Sequence, residues 1–183
     1  MRAALFALLL AGPAFAQDWE PVTEVAADLD ADGTVETYRI VPGGETVVDL
    51  VVSEGGEERV AVGVAWTGIM AGNQPELSLS EAGSVVLTSM NEAVGRDRWS
   101  LALTIAFRDG DWRVAGVTYD WRDTLDPEAG WGSCDMNLLA GRAEVETAAG
   151  EREFRVAGPA PRLWDWTEER AGDWLEPCFE NGA

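Results

Sequence analysis

The chain has no histidine and no lysine; all 13 of its basic residues are arginine. Without an imidazole there is no Ser-His-Asp or Cys-His base, and no histidine-ligated zinc or iron. Without a lysine there is no Schiff base and no Walker lysine to grip a phosphate. Positive charge as a whole is scarce: 33 acids against 13 arginines leave a formal charge of −20. That balance repels a phosphate backbone, so no nucleic-acid partner is expected. The apolar run Ala3–Ala11 is far shorter than the ~20 residues that cross a bilayer, and no membrane span is expected. Cysteine is limited to Cys134 and Cys178, with no C-x-x-C spacing to lower a thiol pKa.

What is present begins with an export signal. Arg2 supplies a positive start and Ala3–Ala11 an apolar core. Gly12 and Pro13 break that core, and Ala14-Phe15-Ala16 has the A-x-A form of a cleavage site. The expectation is a Gram-negative type signal peptide at 1–16, cleaved after Ala16, and a periplasmic or secreted product. Residues 17–183 then read as a single β domain. In an oxidising compartment the two cysteines form one disulfide, Cys134–Cys178. The chain-entropy model gives about 4 kcal/mol for closing a loop of that length. The bond would pin the C-terminal tail to the body.

The dominant hydrophobic period is two. Trp99, Leu101, Leu103, Ile105 and Phe107 alternate with smaller or polar residues, as a half-buried strand requires. Asp109-Gly110 supplies a hairpin turn into a return strand, Trp112–Trp121. The apolar phase of that strand slips around Gly116, which predicts a bulge. Further strands are predicted at 22–27, 34–41, 46–52, 59–66, 76–80, 84–90, 143–148 and 152–157, most separated by glycine turns. Val60, Val62, Val64 and Trp66 are expected on one face. The fold class is all-β: a single antiparallel β-sandwich or open barrel with long loops. Thr167, followed by Glu168 and Glu169, opens a short C-terminal helical turn toward Trp174.

One motif carries specific chemistry. Residues 28–36 read D-L-D-A-D-G-T-V-E. A calcium ion takes six to eight oxygens, and carboxylates at alternate positions converge when the loop coils. Gly33 permits the bend that lets the Thr34 carbonyl join, and Glu36 closes the shell. The chain departs from an EF-hand, because the twelfth position is Arg39 where that motif has a bidentate glutamate. The flanks are strands rather than helices. The arrangement resembles the calcium loops of the FG-GAP and VCBS repeat families, in which D-x-D-x-D-G-x-x-D joins two strands. That resemblance implies Asp28, Asp30, Asp32 and Glu36 as side-chain ligands and Thr34 as a carbonyl ligand. It covers only the loop and its flanks. Those families repeat the loop around a propeller, and the single copy here does not imply that fold. Most of the chain is also similar to a group of uncharacterised secreted bacterial β-proteins. The similarity rests on D-x-D-x-D-G, then R-D-G-D-W-R-V-A-G-V (Arg108–Val117), then C-D-M-N-L-L-A-G (Cys134–Gly141). It implies export and calcium, not an activity.

Two weaker constellations remain. Asp120, Asp123, Asp126 and Glu128 crowd one segment and are the acids from which a carboxylate-based hydrolase would be built. Turn chemistry at Asp126-Pro127 explains them more simply. Nine tryptophans are many for 183 residues. Trp66, Trp99 and Trp112 fall on apolar strand phases. Trp131, Trp164, Trp166 and Trp174 fall in loops or the tail and would suit a ligand groove for a polysaccharide. The leading expectation is an acidic, exported, non-catalytic β-module with a structural Ca2+ loop, acting as a protein-interaction or accessory domain. A carbohydrate-binding module and a carboxylate hydrolase are the alternatives.

Overall fold

The computed structural model of the protein describes residues 23–179. The expected signal segment 1–16 lies outside the described residues, as does Trp19.

Two open antiparallel sheets make up the fold. The smaller is a meander of β1 (Glu24–Ala27), β2 (Glu36–Pro42), β3 (Val47–Glu54) and β4 (Glu57–Trp66). The larger contains β5 (Glu76–Leu79), β6 (Val85–Asn91), β7 (Asp97–Arg108) and β8 (Asp111–Asp123). It continues through β9 (Trp131–Asn137), β10 (Arg142–Thr147) and β11 (Gly150–Arg155), again with each strand beside its chain neighbour. Short turns suffice for such an order, and all pairings are antiparallel. Tyr38, Leu50 and Val64 from the small sheet share one core with Leu87, Leu103, Ile105, Val117 and Met136 from the large one. Neither sheet closes on itself.

The β7–β8 hairpin follows its sequence pattern. Asp109 and Gly110 both have positive φ, 53° and 75°, as a two-residue turn of the primed type requires. Thr104 faces Gly116 and Ile105 faces Val114, so Ala115 is the extra residue of a bulge beside Gly116. The slip in apolar phase has that cause.

Strand β4 departs from expectation. Val60 and Val62 are exposed, while Ala61, Val64 and Ala65 are buried. Gly63 has φ 60° and its N–H donates to the Asp49 carboxylate at 2.7 Å. The register jumps there, with Leu50 opposite Ala61 and Val48 opposite Ala65. The bulge flips the inward face, so the three valines do not share one side. Strand β9 is a second departure, because Trp131 opens a strand instead of lying in a loop. The C-terminal element is longer than the predicted turn. A single 3-10 turn at Glu168–Arg170 leads into helix α1 (Ala171–Phe179). Thr167 is the N-cap by position but its side chain makes no capping hydrogen bond.

The tail is held at both ends. Cys178 on α1 is bonded to Cys134 on β9, with Cα atoms 6.0 Å apart, as the cysteine count predicts. Upstream, Asp111 is a buried anchor. It accepts from Trp164 Nε1 at 2.8 Å, from Arg162 Nε at 2.6 Å and from the Trp112 N–H at 3.0 Å. The Arg59 guanidinium lies over the Trp164 ring, 3.8 Å from its centroid. Asp111 therefore does more than start a strand. Burial pushes its pKa upward, but the bonds from Trp164 and Arg162 outweigh that and hold it below the ordinary carboxylate range.

Candidate metal site

The loop between β1 and β2 coils through its own side chains. Asp30 Oδ1 accepts the Asp32 N–H at 3.0 Å, Asp28 Oδ2 the Gly33 N–H at 3.1 Å, and Asp32 Oδ1 the Thr34 N–H at 2.6 Å. Short acids accepting from backbone two or more residues on are turn formers, which is why this run coils instead of extending. Gly33 adopts φ 93° and Ala31 φ 61°. The glycine meets that demand without steric cost; the alanine does so against preference.

The coil brings acids together. One carboxylate oxygen from each of Asp28, Asp30 and Glu36 lies within 4.8 Å of the other two. A second group with the same closeness is Asp30, Asp32 and Glu54. Thr34 lies on the exposed stretch leading into β2. Glu54 is the member that the loop motif does not reveal. Its signal is indirect: it is an acid just before Gly55-Gly56, at the end of the strand that pairs with β2.

Glu36 is the informative residue. It is fully buried, at 0% exposure. Its Oε2 accepts the Leu29 N–H at 2.9 Å and the Tyr38 hydroxyl at 3.5 Å. Its Oε1 is buried with no hydrogen-bond partner. Among the described residues, no arginine comes within 4.0 Å of Asp28, Asp30, Asp32, Glu36 or Glu54. A buried carboxylate with one oxygen left without a donor and no counter-charge nearby is unfavourable. A cation among Asp28, Asp30 and Glu36 removes that penalty, so the residues present fit a metal ion. The donors are all oxygen, which suits a hard cation such as calcium and not a thiophilic metal.

The surroundings reinforce the reading. Partial desolvation and the negative charges of Asp30, Asp32, Glu36 and Asp28 push the Glu54 carboxyl above its ordinary value. Burial raises the Tyr38 phenol well above its usual range, so it stays protonated and able to donate toward Glu36. Tyr38 Oη in turn accepts the Trp112 indole N–H at 2.7 Å. A continuous path thus runs from the loop to the large sheet.

The other sequence-level candidates are placed differently. Asp123 pairs with Arg96 and accepts the Leu125 N–H, and Asp126 accepts the Ala129 N–H. Asp120, Asp126 and Glu128 are exposed. Of the four tryptophans, Trp166 is 1% exposed and donates to the Val64 carbonyl at 3.1 Å. Trp174 stacks on Trp166, Trp164 packs against Trp112, and Trp131 is half-buried on β9. A cleft of 780 Å³ opens on the outer face of β9, β10 and β11, lined by Asp135, Asn137, Arg142, Glu144, Glu153 and Arg155 among others. None of the four tryptophans lines it.

Fold and site together define an all-β domain of two open antiparallel sheets with an acidic, oxygen-only cluster at one end of the smaller sheet. No family model, curated protein or solved structure matches the chain.

Proposed function

We propose that the protein is an exported, non-catalytic β-module whose β1–β2 loop holds a structural calcium ion. Its role is that of a protein-interaction or accessory domain. The observation that carries the metal reading is Glu36, whose carboxylate lies beside those of Asp28 and Asp30 and whose Oε1 is buried without a hydrogen-bond partner. Asp28, Asp30, Asp32 and Glu36 supply side-chain oxygens, and Thr34 supplies a carbonyl. The Cys134–Cys178 bond supports export, because disulfides persist in oxidising compartments, where calcium is also plentiful. Among the described residues, no helix is long and apolar enough to cross a membrane, which leaves strands outside that statement. The non-catalytic reading rests on the missing histidine and lysine, and on the turn and ion-pair roles of Asp123 and Asp126.

Extracellular calcium modules bind at about 10⁻⁴–10⁻³ M. In about 5 mM calcium such an affinity adds about 1–2 kcal/mol and raises the melting temperature by about 2–8 °C. Melting curves of the protein in calcium and in chelator are expected to differ by that much. Asp30→Ala combined with Asp32→Ala should abolish the difference. Coincident wild-type curves would refute the calcium reading.

A further inference from the structure

Glu54 belongs to a different hairpin from the loop, yet the sheet delivers it to the same place. Strands β2 and β3 pair with Thr37 opposite Ser53, so the next residues along, Glu36 and Glu54, end neighbouring strands at one edge. Gly55 and Gly56 have φ 57° and 91°, the two positive values of a tight hairpin turn. Glu54 pairs with Glu57 across that turn, which fixes it as the last residue of β3. A Glu54 oxygen lies within 4.8 Å of oxygens from Asp30 and Asp32. Asp30 also belongs with Asp28 and Glu36, so the two triads share a member and form one cup.

Nothing else holds Glu54 there. Among the described residues its carboxylate has neither a hydrogen-bond donor nor an arginine within 4.0 Å. Like charges gathered side by side repel unless a cation lies between them. Glu36, whose carboxylate belongs to the first triad, has a buried Oε1 without a hydrogen-bond partner, and this independently marks the cup as a place for one. The loop also lacks the second glutamate that an EF-hand carries at its twelfth position. Arg39 stands at that position and pairs with Glu24 and Glu58 on the flanking strands.

We propose that Glu54 is a direct ligand of the same calcium ion, supplying from the β3–β4 hairpin one acid beyond those of the loop. The proposal rests on the calcium reading above. It makes the site a clamp between two hairpins, not a closed local loop, with one ion per chain.

Calorimetric titration of the full chain with calcium chloride tests it. The wild type should bind one ion. Glu54→Gln should weaken binding about tenfold or more while keeping that stoichiometry. Glu57→Gln removes the same charge from the other side of the turn, and should change affinity less than about threefold, as a screened surface charge does. In chelator, Glu54→Gln should melt at or above the wild-type temperature, which shows that it folds. Wild-type affinity in Glu54→Gln, or equal losses in both variants, would overturn the proposal and leave the calcium loop standing. So would a wild type that binds two ions and loses one on Glu54→Gln. A wild type that takes up no calcium would remove the loop reading itself, and this proposal with it.

Discussion

Among the described residues, Glu36 and Asp111 are the two buried acids, and their surroundings differ. Asp111 is satisfied by the indole of Trp164, the guanidinium of Arg162 and a backbone N–H. Glu36 has donors on one oxygen only. Asp111 is a structural anchor, and Glu36 is the hallmark of the proposed metal site. The Asp111 anchor has a pH signature. A carboxylate whose folded pKa is depressed adds stability above its unfolded pKa of about 3.9, lost as pH falls through the lower folded value. Asp111→Asn should cost about 1–3 kcal/mol at pH 7. The gap to wild type should narrow as the pH is lowered below about 4. Urea melts at several pH values measure it; a constant gap would mean that the charge on Asp111 contributes nothing. Glu36 and the three aspartates stand in one short run, so they are legible in the sequence. The anchor role of Asp111 is not legible there, because its partners Arg162 and Trp164 lie far along the chain.

At the scale of elements, local pattern is informative where pairing is local. The β7–β8 hairpin has strict alternation, an Asp-Gly turn and a phase slip, and each has its structural counterpart. Strand β4 misleads because its valines alternate perfectly while Gly63 bulges opposite Asp49 and turns the face over. A mid-strand glycine is the available warning. Strand β9 is hidden because its inward residues are Gly132, Cys134 and Met136, which carry little β signal. Gly132 is required there by packing: a Cβ would run into the Trp121 indole. The same strand holds one half of the disulfide that fixes α1. Replacing Cys134 and Cys178 together by serine should cost about 2–4 kcal/mol in unfolding free energy. Measured by denaturant titration, an unchanged midpoint would show that Asp111 and the packing of Trp166 hold the tail without the bond.

At the scale of the molecule, the site sits where the small sheet meets the rest. Glu36 lies beneath the loop, Tyr38 Oη links it to Trp112 on β8, and Trp112 packs against Phe107 and Trp164. A cation in the cup would neutralise charge on a chain carrying a formal −20. The all-β class was readable from period and turns. The division into sheets of four and seven strands was not, because strand order follows from long-range packing that no short pattern encodes. Glu54 shows the same limit at the site, since only the β2–β3 register places it beside the loop. The most direct test of the calcium account is a crystal structure of the protein grown in millimolar calcium chloride, with anomalous differences measured. The account predicts one peak about 2.3–2.6 Å from Glu36 Oε1, with oxygens of Asp28 and Asp30 in the same shell. A loop without a peak, or a Glu36 Oε1 turned to a protein donor, would contradict it.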